Sequence, residues 1–467
     1  MKNASIPNRS PLIILAFIIP LIYWICLFFH SSMDLKFDAV SYENLGKIIF
    51  EQGWLGYFKT GPNREPFYPL LIAFSMSLSR ITSVDYQKIQ TIIQIIFLFF
   101  TLFLSLKILN KLNIHSGVKA LCLLYMGLSP ALVNSAFSLF SEIAAYPFIL
   151  YTILLCYQTI TRLHRENKMT SIYWGIALGL AFLLLTSVKG IFELLSPLIL
   201  GYTIVVLLLS NYPYPKKYSR IIIFTLSALL TFYIPLHYYK SLNFKYNKQY
   251  TLTDRGNWML YGAAVKRTSE EARPKIPAEI AYSMGDNFCT RFFKQDNCTY
   301  WAFGTSDQFG MAKLSQLTAQ GLTPQQVNKE LLSQTKVLIK NHPLQYTLTT
   351  FIELLKFAFW ESTKIGFVRY PPSLEKLFDN KIFKDGLRLG MSLLTMLGML
   401  YTLVYLSRSK KDAADQKIML ALIVFIVVIY SGSYSLFSIL TRYILPIVPL
   451  YLILIAFSLH HFSEKRK

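Results

Sequence analysis

The sequence predicts an all-α polytopic membrane protein with about ten transmembrane helices. Juxtamembrane helices are expected in its first outer loop, and one large outer loop of mixed or helical structure. Three observations carry this reading. Of 467 residues, 53% are hydrophobic and only 15% are charged, which excludes both disorder and an ordinary soluble enzyme. Apolar runs long enough to cross a bilayer recur along the chain. Lysine and arginine concentrate in alternate loops, as orientation in a membrane requires.

The first run, PLIILAFIIPLIYWICLFFH (11–30), has no small-residue cleavage site after it and reads as a retained span rather than a signal peptide. Further spans are expected at 89–109, 117–138, 142–161, 171–189, 190–210, 220–239, 386–407, 417–435 and 442–461. Ten spans put both termini on one side. The segments then placed inside hold 18 Lys/Arg against four acidic residues, whereas the first outer loop (31–88) holds six of each. The long outer loop (240–385) is mildly basic, but loops of that length translocate regardless of charge. The excess of 47 basic over 25 acidic residues is therefore mostly an orientation signal, and nucleic acid is not needed as a partner. The chain divides into an N-terminal transmembrane module (1–239) containing the outer loop 31–88, an outer loop region (240–385), and C-terminal spans (386–467).

Two outer segments depart from a plain span-and-loop pattern. In FDAVSYENLGKIIFEQG (37–53), Asp38, Tyr42, Leu45 and Ile49 fall at i, i+4, i+7 and i+11 on one helical stripe. That stripe must face membrane or protein, and Asp38 heads it, either as an N-cap or as a carboxylate fixed beneath the outer leaflet; Asp34 is a lesser second acid. The apolar part of REPFYPLLIAFSMSLSR, about 14 residues, is too short to span comfortably. Were it a span, the basic KILNKLNIHSGVK would lie outside, so it reads as an interfacial helix. HPLQYTLTTFIELLKFAFWES (342–362) carries Glu353 and Lys356 inside its apolar run and is expected to be interfacial too. Between these, TPQQVNKELLSQTKVLIKN predicts an amphipathic helix with Thr323 as N-cap and Pro324 at the first position. Cys26, Cys122 and Cys156 fall in spans as packing residues. Cys289 and Cys298 lie in the outer loop, where their spacing permits a disulfide, favoured here over free thiols; a metal site would need more ligands nearby. Walker, dinucleotide-glycine, HExxH and CxxC motifs are not visible.

All but five of the 72 charged residues fall in tails or loops. The five are Glu142, Lys189, Glu193, Arg388 and Arg442, each at the outer end of a span. Charges within membrane segments usually face protein or water, and five on one side predict a polar cavity opening outward. Structural readings stand beside this. Lys189 and Glu193 are spaced as a mutual pair, and Glu142 suits the first turn of a helix that Ser141 could cap. Arg442 suits an interface anchor beside Tyr443, and Arg388, free to snorkel, is assigned no role.

Asp38, Tyr42, Gly53 and REPFYPLL (64–71) are followed in order by Ser141–Glu142, a Gly179-to-Gly190 stretch ending TSVKG, the HPLQY helix, and RYILPIVP (442–449). This series resembles the GT-C glycosyltransferases, in the branch of protein O-mannosyltransferases and the lipid A aminoarabinose transferase. The resemblance covers roughly 1–200 and 340–460, and residues 240–340 match nothing in it. It implies an inverting hexosyl- or pentosyltransferase of the bacterial inner membrane, termini cytoplasmic and active site periplasmic. Its partners would be a polyprenyl-phosphate sugar donor, a glycan, lipid or protein acceptor, and the bilayer. Carried over, Asp38 is the general base; Arg442, Lys189 and Arg64 receive the donor phosphate; Glu142, Tyr42, Glu65 and Tyr443 orient the acceptor or a cation. Two departures matter. Ala39 stands where protein O-mannosyltransferases carry a second acid, and Glu65-Pro66 replaces their Pro-Pro. The first weakens a protein-mannosylation assignment. It also leaves a cation short of oxygen ligands, so no cofactor is required and a divalent cation is merely compatible. An O-antigen ligase or polymerase, or a transporter or flippase, are the alternatives. Span charges gathered at one edge and the lack of an inverted repeat speak against a transporter.

Overall fold

The computed structural model describes residues 10–163, 168–209, 217–363, 367–408 and 414–464. Nine helices among them are long and apolar enough to cross a membrane. In chain order these are α1 (Pro11–His30), α4 (Tyr86–Lys111), α7 (Glu142–Arg162), α8 (Lys168–Val188), α9 (Phe192–Leu209), α10 (Lys217–Asn247), α19 (Lys381–Ser407), α20 (Ala414–Ser435) and α21 (Val448–Glu464). A 3-10 turn, Thr441–Ile447, leads into α21. The tenth expected span, 117–138, is broken: α5 (Ser116–Leu128) and α6 (Pro130–Phe137) meet at 45°. Pro130 has no N–H to continue α5, so a new helix starts there. Its freed Ala131 N–H donates to the Glu361 carboxylate at 3.1 Å, which also accepts from Ser129 Oγ at 2.8 Å and Tyr125 OH at 2.5 Å.

One continuous apolar core joins residues from α1 through α21, so the N-terminal module and the C-terminal spans close around each other. α7 and the last span are the most enclosed, and α1 lies at the periphery. α8 meets α10 through Gly175 and Gly179, one turn apart. A Cβ at either position would come within 2.5–2.6 Å of the Phe224 and Ala228 carbonyl oxygens. Only small residues let two helix backbones approach that closely. The α10 helix runs past its expected end at 239 to Asn247, and Lys240 in that extension pairs with Glu193.

The remaining elements gather at one end of the bundle, the loop end. α2 (Asp38–Lys59) buries Tyr42, Leu45 and Ile49 as its stripe requires. It bends at Gly53 (φ 67°), a conformation glycine adopts without a side-chain clash. α3 (Phe67–Thr82) is the short apolar helix. Tyr68 of α3 donates to Gln94 of α4, which in turn donates to the Ala136 carbonyl at 2.8 Å. This buried polar seam fixes α3, and with it the residues just before it. Ser32–Met33 and Val368–Arg369 form a two-stranded antiparallel ribbon, beside which Asp34 pairs with Lys36 and Arg369.

The described residues between 248 and 380 hold eight α-helices, α11 (Gly256–Thr268), α12 (Ile276–Met284), α13 (Asp286–Phe292), α14 (Gln295–Tyr300), α15 (Phe303–Ala319), α16 (Pro324–Asn341), α17 (Pro343–Leu355) and α18 (Pro372–Asp379), and a 3-10 turn at Glu270–Lys275. α16 starts with the expected Thr323 cap and Pro324, and Gln326 returns a hydrogen bond to the Thr323 N–H at 2.8 Å. Cys289 and Cys298 are joined by a disulfide. Of the three cysteines in spans, Cys122 and Cys156 are buried and Cys26 is exposed. The expected helix 342–362 stops at Leu355. Beyond it Trp360 and Glu361 turn into the core, where Trp360 Nε1 reaches Thr395 Oγ1 at 3.0 Å.

α11 anchors this region to the spans. Lys266 Nζ donates to Ser438 Oγ at 2.6 Å, and Arg267 donates to the Phe437 carbonyl at 2.7 Å. Both cations are fully buried and face Glu353, which Lys356 also contacts at 2.5 Å. Glu279 of α12 lies beside them, fully buried, with neither carboxylate oxygen hydrogen-bonded. Burial pushes its carboxyl up to about 8, and the Glu353 charge adds to the shift. Burial pulls Lys266 down to about 7 against the attraction of Glu353.

A group whose pKa rises on folding stabilises fully below its unfolded value and loses that contribution as the pH climbs through the folded one. Glu279 therefore weakens the fold progressively between its ordinary 4.5 and about 8, where glutamine would not. Glu279→Gln is expected to gain thermal stability over the unsubstituted protein as the pH goes from 5 to 8. Lys266 makes the mirror contribution in both proteins, weakening as pH falls toward 7. Melting curves in detergent across that range check this; a pH-independent difference would remove Glu279 as the titrating group.

Candidate active site

Asp38 is the first residue of α2 and follows Phe37, whose backbone sits at φ 49°, an uncommon value for a side chain of that size. The carboxylate does not cap its own helix. One oxygen accepts from Arg64 and the other from Arg442, so both are occupied by guanidinium groups. Arg64 is held in turn. Its carbonyl accepts from Tyr57 OH at 2.6 Å, and its guanidinium lies 4.8 Å from the Tyr42 ring centre. Arg442 belongs to the 3-10 turn before α21 and lies over Phe140 and Tyr443, at 4.9 and 5.6 Å. Its Nε is buried with no hydrogen-bond partner among the described residues.

Two cavities meet at this cluster. The larger, about 730 Å³, holds Asp38 and Arg442 and adds Arg255, Lys384, Arg388, Asp286 and Asp307 within walls of Phe37, Phe140, Phe303, Phe367 and Tyr443. The smaller, about 260 Å³, holds Tyr42, Arg64, Glu65, Lys189, Glu193 and Tyr434. Arg255 and Tyr443 line both. The Arg255 guanidinium lies 5.8 Å from the Trp258 ring and, among the described residues, makes no ion pair or side-chain hydrogen bond. Asp307 Oδ1 is buried and, among the described residues, has no hydrogen-bond partner, and burial raises its pKa.

The structure does not bring all the expected residues into one cavity. Lys189 and Glu193 do not pair with each other, because α8 ends at Val188 and α9 begins at Phe192, so the helical spacing between them is lost. Lys189 Nζ donates instead to Glu142 at 2.7 Å. Glu142 is buried and lines neither cavity. Ser141 makes no cap bond and its hydroxyl contacts Tyr42 OH at 3.0 Å. Glu65 accepts from the Gly190 N–H at 2.7 Å, tying the segment before α3 to the α8–α9 junction. Arg388, given no role from sequence, points into the larger cavity and donates to the Glu361 and Met284 carbonyls, both at 3.3 Å. Asp34 lines neither cavity.

Sequence reasoning missed Arg255, Asp286, Asp307 and Lys384. The first two stand in TDRGNW and YSMGDN, where a charge beside a turn glycine was the available signal. Asp307 and Lys384 carried none. Among the described residues no group of three or more His, Cys, Asp or Glu side chains is placed to hold a metal ion. With both Asp38 oxygens engaged, the site does not fit a hard divalent cation, which needs several oxygen ligands. What the arrangement offers is a fixed carboxylate, a surplus of cations and aromatic walls. No protein-family model matches this chain, and neither does any curated protein.

The Glu142–Lys189 pair is buried, so removing one partner strands a charge. Lys189→Met is expected to destabilise the protein by about 3 kcal/mol, and the double variant with Glu142→Gln to recover most of that. Thermal unfolding of the three proteins measures this; equal stability of the single and double variants would show that the pair is not coupled.

Proposed function

We propose that this chain is an integral-membrane, inverting glycosyltransferase that moves a sugar from a polyprenyl-phosphate donor onto an acceptor hydroxyl. The observation that carries the reading is the Asp38 carboxylate held between Arg64 and Arg442 where the two cavities meet. The order of motifs that resembles the GT-C branch supports it, and so does the excess of Lys/Arg over acidic residues, 18 to four, in the tails and short loops read as inner. That asymmetry favours cytoplasmic termini and a site on the periplasmic side of a bacterial inner membrane.

In this reading the Asp38 carboxylate holds a guanidinium group that a phosphate would take. A lipid phosphate entering the larger cavity competes for Arg442, with Arg255 and Arg388 at hand, and frees one Asp38 oxygen. Arg64 keeps the other and holds the carboxylate in position. Asp38 then takes the proton of the acceptor hydroxyl as its oxygen attacks the anomeric carbon. The bond from that carbon to the phosphate oxygen breaks, and the electron pair leaves with the polyprenyl phosphate. Charge grows on that phosphate in the transition state, and the guanidinium groups receive it. One displacement with no covalent intermediate inverts the anomeric configuration, and a single central carboxylate suits that course.

The broken span α5/α6 is what a transporter reading would claim, since transporters bind ions at discontinuous helices. Here the freed helix start is already occupied by Glu361.

Membranes containing the protein, incubated with labelled polyprenyl-phosphate sugars, should transfer label to an acceptor. Asp38→Asn should lower transfer by roughly 10²–10⁴-fold while leaving expression and insertion intact; full activity would sink the base assignment. Arg442→Ala should mainly raise the donor KM, and an unchanged donor dependence would take Arg442 out of the phosphate site.

A further inference from the structure

The smaller cavity does not end at the spans. Thr251, Thr253 and Gly256 line both it and a third cavity, about 420 Å³, on the side of the 248–380 region. The other walls of that cavity are Gln249, Tyr250, Asp254, Asn257, Gln325 and Asn328. The three cavities thus adjoin in a row, a trench in which Arg255 and Tyr443 line the first two and Thr251, Thr253 and Gly256 the last two. Its character changes along its length. The inner two parts are rich in ion pairs, whereas the outer part has no cation and one carboxylate.

We propose that the outer cavity is a subsite for the distal sugars of a glycan acceptor, an oligosaccharide or polysaccharide whose reacting end lies at Asp38. This rests on the glycosyltransferase reading and narrows its acceptor to one chemical class. A sugar hydroxyl both donates and accepts, and so does a side-chain amide; four amides line this cavity. A lipid phosphate would require cations here, and an acyl chain would require apolar walls. An extended peptide binds by adding to an exposed strand or by seating apolar anchors, and the cavity provides neither.

The lining is also built to stay in place. The capping box at Thr323 and Gln326 fixes the start of α16, which carries Gln325 and Asn328. Gln325 Nε2 donates to the Lys248 carbonyl at 2.8 Å and so pins a turn whose φ is 58°. Tyr250 is 51% exposed, yet its hydroxyl contacts His237 Nδ1 at 2.6 Å and Lys240 Nζ lies 5.5 Å from its ring centre, which holds the side chain in place. Asn257 is only partly exposed and, among the described residues, makes no side-chain hydrogen bond. A fourth cavity, on α15 and α16, carries Lys313, Lys329 and Glu330 and shares no residue with the trench.

The test uses membranes containing the full-length protein and labelled polyprenyl-phosphate sugars, with the labelled product split into protein-bound, sugar-free lipid and glycan-borne fractions. The proposal expects the label on a glycan. Tyr250→Ala and Asn257→Ala should each raise the acceptor KM roughly fivefold, and about twentyfold together. Donor KM and kcat should stay unchanged, as should melting temperature. Lys329→Ala, in the fourth cavity, is the control and should alter none of these. Label on protein or on a sugar-free lipid would overturn the glycan subsite and leave the transferase reading standing, as would an unchanged acceptor KM in the double variant. No transfer from any lipid-phosphate sugar would overturn both.

Discussion

The loop end is organised around one carboxylate and two guanidinium groups. Asp38 is separated from Arg64 by 26 residues and from Arg442 by 404, so its two oxygens join the first helix after α1 to the turn that starts the last span. Without the carboxylate, two guanidinium groups would face each other with no anion between them. Each arm has its own support. Arg64 is placed by Tyr57 and by the Tyr68–Gln94 seam. Arg442 follows a segment that Lys266 and Arg267 of α11 hold by its Ser438 hydroxyl and Phe437 carbonyl. The region after α10 therefore helps to build the site, even where it contributes no residue to it.

The spans were legible because burial in lipid imposes a single composition over about 20 residues, and every expected span coincides with a helix or a helix pair. Where expectation and structure differ, a local rule yielded to tertiary contacts. The 117–138 run looks like one span by composition, but Pro130 starts a new helix, which Ser129 caps and the distant Glu361 completes. The 342–362 run looks like one interfacial helix, but Trp360 and Glu361 find partners in the core and end it at Leu355. Spacing suggested that Lys189 and Glu193 pair. The helix break between them removed that geometry, and each took a partner 47 residues away.

The site was legible only where a charge broke an apolar pattern. Asp38 and Arg442 stood out for that reason, and so did Glu142 and Lys189, which the fold uses mainly on each other. Arg255, Asp286 and Asp307 sit in a polar segment where one more charge carries no signal. They become visible only when α11, α13 and α15 fold back over the span ends. The same holds for the amides around Tyr250, which are unremarkable in sequence and meaningful only as neighbours of one trench.

Glu361 has a consequence for how the molecule is made. The Ala131 N–H at the start of α6 finds its acceptor 230 residues further along the chain. A ribosome delivers α5 and α6 long before that carboxylate exists, and domains form from the N-terminus as synthesis proceeds. Until then the α5–α6 junction has only its Ser129 cap, and a chain cut before residue 361 leaves Tyr125, Ser129 and Ala131 without the carboxylate they share.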